Sequence, residues 1–336
     1  MRAHRRGGSV RVAGALALVV AIVAGVLAGA PSPAGAAPGV RYLDPVFPNV
    51  TVTNNITYGQ AINADGVLQS LELDLYEPTG DTELQRPVFV WAHGGFFTQG
   101  NKSEIGTIAP FMAQRGYVVL SIEYRLNPAL PEGLAGYSAS EQLPYDLALL
   151  VETIRDGQHD MQAAVRWARA NAAARRLDPT RIATGGFSAG ATMSVAVAYN
   201  SDDPGSSGNP GYSSSVTAAI GTGTLNVPLI DIHPDPLVEP PVAMFHGQLD
   251  ESPVLGPIAT CLVAQLMLNV CEVHQYAGEG HSSRNGINDW PAFLYTRVIQ
   301  KKPAPLSLPP GTLPTIPAVR VPSSLVPKNL IPGLPI

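Results

Sequence analysis

Apolar and polar residues alternate with period two along Val50-Thr51-Val52-Thr53, and again across Leu71-Glu72-Leu73-Asp74-Leu75-Tyr76. Successive side chains of a strand point to opposite faces, so each stretch predicts a half-buried strand. The Asn63-Ala64-Asp65-Gly66 segment between them supplies turn residues, and the two strands are expected to open the fold as an antiparallel pair. Beyond Pro78 the pattern changes. Short, nearly continuous apolar runs occupy Pro87 to Ala92, Tyr117 to Ile122, Arg181 to Phe187, Val216 to Thr222, Pro241 to Phe245 and Cys271 to Tyr276. Runs of this kind suit strands buried on both faces. Helical stretches lie between several of them, at Ile108 to Gln114, Asp160 to Ala174, Ala191 to Ala198 and Pro257 to Leu268. Strands alternating with helices predict an α/β fold, a mainly parallel central sheet with helices on both faces.

Three segments fall outside that rhythm. Asn127 to Asp156 is a long excursion after a strand, read either as shaping access to a substrate pocket or as a surface connection with one extra helix. Ser201 to Ser215 is rich in Gly, Ser, Asp and Pro. From Lys302 to Ile336 there are ten prolines in 35 residues and hardly any charge. That composition predicts a low-complexity, extended tail, with weak contact to a wall, a membrane or an apolar polymer as its second reading.

The first 36 residues carry Arg2, Arg5, Arg6 and Arg11, then an uncharged apolar stretch, then Ala34-Gly35-Ala36. A basic head, an apolar core and a small-residue cleavage site are expected of an export signal, so the globular domain is expected over 37–301 and the protein outside the cell. The apolar stretch is long enough that an uncleaved membrane anchor is the alternative. Removing 1–36 takes away four arginines and no acids, moving the formal charge from −5 to about −9, which argues against nucleic acid as a partner. The chain has two cysteines, Cys261 and Cys271. They are too few for a thiolate zinc site, and in an exported protein they predict one structural disulfide.

Candidate chemistry centres on Gly186-Phe187-Ser188-Ala189-Gly190, which follows a predicted buried strand and opens a helix. A serine on so tight a strand-to-helix turn needs residues without large side chains two positions either side, and both are glycine. Upstream, His93-Gly94-Gly95-Phe96-Phe97 follows the strand Pro87 to Ala92. Glycines there let backbone N–H groups face a substrate oxygen, and the Ala189 amide supplies a further donor, although an ordinary strand-to-loop turn would read the same way.

With Glu123-Tyr124-Arg125-Leu126, Ala163-Ala164-Val165-Arg166-Trp167 and Asp178-Pro179 added, the stretch from about Leu73 to His281 resembles the carboxylesterase and hormone-sensitive-lipase-like α/β-hydrolases. The resemblance implies the α/β-hydrolase fold and assigns Gly95 and Phe96 to an oxyanion hole with Ala189. Phe96 stands where those enzymes usually carry a third glycine, and its ring is expected to narrow the acyl side of the pocket.

In this fold the triad runs in the order serine, acid, histidine. His281, in Gly278-Glu279-Gly280-His281-Ser282 after a late strand, is the expected base; His93 is expected to organise the oxyanion loop and His246 to make a structural hydrogen bond. His159, His233 and His274 are expected at surface or packing positions. Asp250 follows the strand Pro241 to Phe245 on a loop that can reach His281, with Glu251 and Asp231 as competitors. Ser188, Asp250 and His281 together predict a serine carboxylesterase working through an acyl-enzyme without metal or cofactor on small-molecule or polymer esters. The alternatives are amide hydrolysis of the exopeptidase or arylformamidase kind, or a non-catalytic binding protein of the same fold.

Overall fold

A computed structural model of the chain describes residues 39–131, 143–226, 232–236, 238–250, 254–281 and 284–301. The expected export signal, the proline-rich tail and residues 132–142 of the excursion lie outside the described residues. Among the described residues no helix is long and apolar enough to cross a membrane.

Eight strands form one sheet: β1 (Val50–Ile62), β2 (Leu68–Pro78), β3 (Arg86–Ala92), β4 (Val118–Ile122), β5 (Leu177–Gly186), β6 (Ala218–Thr222), β7 (Val242–Gly247) and β8 (Cys271–Tyr276), in the order β1-β2-β4-β3-β5-β6-β7-β8. β1 pairs antiparallel with β2, and β2 antiparallel with β4, whereas every pairing from β4 through β3 to β8 is parallel. The predicted opening hairpin and parallel sheet are therefore both present. The hairpin turns at Asn63, whose Oδ1 accepts from the Asp65 and Val67 amides, and Gly66 takes φ +75°.

Alternation along β3 divides the core. Val88, Val90 and Ala92 face one layer, where α2 (Leu143–Ala170) and α3 (Ala189–Tyr199) pack. Phe89 and Trp91 face the other, against α1 (Ile108–Ala113) and the C-terminal α5 (Trp290–Leu294). A further helix, α4 (Leu255–Leu266), covers β7 and β8 on the α3 side. All seven residues of β3 are buried, as a central strand covered on both faces requires.

The structure corrects one boundary. The excursion assigned to Asn127–Asp156 ends as helix: α2 starts at Leu143 and runs unbroken through Gly157, 28 residues in all. A glycine in a helical pattern reads as a break, but a Cβ at Gly157 would stand 2.2 Å from Met193 Sδ of α3. Gly157 faces the Met193 side chain of α3, and the helix continues through it.

α2 also carries a buried polar anchor. Asp160 accepts from the Arg125 amide and guanidinium, and its Oδ1 accepts from Ser207 Oγ at 2.6 Å. Arg125 also donates to the Ile62 carbonyl at the end of β1. The Gly/Ser-rich segment 201–215 is thereby fastened to the hairpin and the helix, with Gln60 N donating to Ser207 O and Asn209 Nδ2 to Tyr58 O.

Candidate active site

Ser188 sits between the end of β5 and the start of α3 with φ +54°, ψ −115°, a conformation a side-chain-bearing residue adopts only under constraint. The constraint is visible in what flanks it. A Cβ on Gly186 would lie 2.1 Å from the Gly190 carbonyl carbon, and one on Gly190 would lie 2.1 Å from the Ala92 carbonyl oxygen. Strand β5, helix α3 and the end of β3 therefore meet with no room for a methyl group. The Ser188 amide donates to Thr222 O at 2.8 Å, tying the turn to β6 as well.

Asp250 lies on the loop after β7, its side chain fully buried, and both carboxylate oxygens stand 2.9 Å from His281 Nδ1. The loops bearing the two residues are laced together: Gln248 N donates to Tyr276 O and Leu249 N to Glu279 O, while a Cβ on Gly247 would meet Gly280 O at 2.2 Å. A carboxylate only accepts, so the imidazole presents Nδ1–H to it and leaves Nε2 outward. The ring reaches the serine turn through two contacts. Phe187 packs on it with centroids 5.1 Å apart, and Gly223, next to the Thr222 that holds the Ser188 amide, lies so close that a Cβ there would be 2.9 Å from His281 Cε1.

The His93-Gly94-Gly95-Phe96 loop borders the same turn, since a Cβ on Gly94 would contact Ser188 Cβ at 3.2 Å. Its peptide planes are fixed from behind. Gly94 O accepts from His93 Nδ1 at 2.7 Å and Tyr124 Oη at 3.3 Å; Gly95 O accepts from the Thr98 and Gln99 amides; Ser188 O accepts from the amide and hydroxyl of Thr192. In a trans peptide the N–H points opposite to the C=O, so anchoring these three carbonyls aims the N–H groups of Gly95, Phe96 and Ala189 the other way. Phe96 (φ +54°) and Phe97 (φ +64°) take left-handed conformations in this loop without being glycine.

Burial lowers the pKa of His93, against the opposing pull of its hydrogen bond to Gly94 and of the Glu123 and Glu104 carboxylates. Burial, with those two carboxylates, raises that of Tyr124, so its hydroxyl stays a donor. The neutral imidazole donates from Nδ1 because its partner is a carbonyl.

The other histidines lie apart from the turn or behind it. His246 is buried, with Nε2 3.5 Å from Asp250 Oδ2; His159 faces Asp203; His274 faces Glu272; His233 is exposed. Glu251 and Asp231, the competing acids, lie outside the described residues. Cys261 and Cys271 form the expected disulfide, joining α4 to β8. Tyr124 and Thr192, which hold the loop and the turn from behind, drew no functional expectation from sequence. Thr192 falls one helical turn after Ser188, and that spacing was the available signal.

Residues 48–206 match the carboxylesterase family. The chain has the α/β-hydrolase fold and resembles the carboxylesterases. A thermophilic esterase from Thermogutta terrifontis, solved with butyrate bound, superposes with a TM-score of 0.58 at 19% identity, covering 74% of this chain and 94% of that one. Secreted lipase 5 of Gibberella zeae is 29% identical over 143 residues, 40% of this chain and 25% of its own length. Esterase LipI of Mycobacterium tuberculosis is 27% identical over 163 residues, 48% of this chain and 42% of its own. The matches therefore span a quarter to less than half of these two curated relatives.

Proposed function

We propose that this chain is an exported serine hydrolase that cleaves carboxylic esters, with Ser188 as nucleophile, His281 as base, Asp250 as the acid behind it, and the Gly95, Phe96 and Ala189 amides as the oxyanion hole. The observation that carries this reading is the symmetric contact of both Asp250 oxygens with His281 Nδ1, made by two interlaced loops beside a strained serine. Asp250 holds the imidazole with Nε2 unprotonated, and His281 takes the Ser188 proton as the hydroxyl attacks the ester carbonyl. The three backbone donors receive the charge that develops on the carbonyl oxygen, with no reorganisation because their peptide planes are already anchored. His281 then returns the proton to the departing alcohol, and water repeats the sequence on the acyl-enzyme.

Kinship with the carboxylesterases supports esters as the substrate class, and the disulfide supports an oxidising compartment. A fluorophosphonate probe tests the nucleophile: labelling of the wild-type chain and none of Ser188→Ala is expected. Hydrolysis of p-nitrophenyl esters from acetate to palmitate tests the reaction, with Asp250→Asn expected to lower kcat about 10⁴-fold by releasing the wrong tautomer. A labelled protein that turns over amides but no ester of any length would overturn the ester assignment. Amino-terminal sequencing of secreted material should begin near Ala37.

A further inference from the structure

Beside the serine turn, on the α1 and α5 face of the sheet, lies a cavity of about 230 Å³. Trp91, Phe187 and Trp290 line it with Ile108 and Ile287, and Glu104 is among its lining residues. Two lining residues tie it to the reaction. Phe187 directly precedes Ser188 and packs on His281, and Gly94 approaches Ser188 Cβ. We propose that this cavity is a subsite for a single uncharged aromatic ring of the ester, a specificity that rests on the ester reading above.

Size, surface and charge lead to the same occupant. An apolar cavity of about 150 Å³ is enough to take up benzene, so one of about 230 Å³ has room for one ring with a small substituent. An aromatic lining favours a ring over an alkyl group of the same area, because rings meet edge-to-face or offset. Trp91 and Trp290 pack on each other at 5.3 Å with their planes tilted by 38°. The exposed Glu104 carboxylate adds negative charge at the cavity and disfavours a ring carrying negative charge.

The ring can belong to the alcohol or to the acid of the ester, and the substrates separate the two. Phenyl acetate, methyl benzoate and ethyl acetate would be assayed with the wild-type chain, Ile287→Phe and Ile108→Phe, the two variants filling the cavity from different elements. Intrinsic reactivity cancels when each aryl-to-ethyl ratio of kcat/KM is compared between wild type and variant. A fall of roughly tenfold, carried by KM, is expected in both variants for one aryl ester. If it is phenyl acetate the ring is the alcohol's, and if methyl benzoate the acid's. Ratios unchanged in both variants, with the esters turned over, would overturn the subsite. Failure of the ester reading is told apart by a titration that needs no turnover: two of the three tryptophans line the cavity, so 4-nitrobenzyl alcohol should quench their fluorescence saturably. Saturable quenching without hydrolysis would keep the subsite and reject the reaction, and absence of quenching would reject the subsite.

Discussion

Tyr124 stacks on His93 with ring centroids 4.3 Å apart and planes 22° from parallel, and its hydroxyl donates to both the His93 and the Gly94 carbonyls. A residue just beyond β4 thus holds the loop that carries two of the three assigned oxyanion donors. Tyr124→Phe keeps the ring and removes the hydroxyl. Because removing an oxyanion donor outright costs 10² to 10³ in kcat, loosening its support is expected to cost about tenfold, in kcat and not in KM. Steady-state kinetics on a p-nitrophenyl ester would read the split; a change confined to KM would place Tyr124 in substrate binding.

His93 makes stability depend on pH in a definite direction. Its folded pKa is lowered by burial, so the folded state favours the neutral ring even though Glu123, Glu104 and Tyr124 face it. That stability is intact above the unfolded value, about 6.5, and falls as pH drops below it, because there the unfolded chain binds up to about one more proton. Thermal melts between pH 5 and 8 should show this slope in the wild-type chain, and His93→Asn should flatten it.

Two glycine-to-alanine changes should differ sharply. Gly190→Ala puts a methyl group against the Ala92 carbonyl and should cost about 4 kcal/mol or more, abolishing activity with it. Gly66→Ala, at φ +75° in the hairpin turn with nothing within 4 Å, should cost about 1 kcal/mol from backbone strain alone. Urea unfolding midpoints of the two variants would measure the difference.

The disulfide closes a short loop, with a sequence separation of 10 between its cysteines. Constraint of the unfolded chain by so short a loop contributes about 2 to 3 kcal/mol, so Cys261→Ser with Cys271→Ser should lower Tm by roughly 5 to 10 °C in calorimetry.

What could be read from sequence follows from which forces are local. The serine turn was legible because its steric demand falls on Gly186 and Gly190, two positions either side of Ser188. Strand β3 was legible because burial on both faces leaves an unbroken apolar run. The choice of Asp250 rests on chain order and on its loop after a late strand, and the structure brings it into contact with His281. The start of α2 differs from the expected Asp160: the helix reaches back to Leu143, inside the segment read as an excursion. The cavity could not be read at all, since its walls join Trp91 to Trp290 across most of the chain. Tyr124 belongs with it: its motif is visible in the sequence, but a hydroxyl's partner is a fact of three dimensions.

The assigned reacting groups are spread unevenly over the sheet. Ser188 follows β5, flanked by strands on both sides, whereas His281 follows β8, which among the described residues is paired only with β7 and has a mostly half-buried surface. Strands at an edge open at lower free energy than the centre of a sheet. On heating, hydrolysis is therefore expected to fade before circular dichroism records the main melt. The enzyme would go silent with its nucleophile still seated, and prompt cooling would restore it.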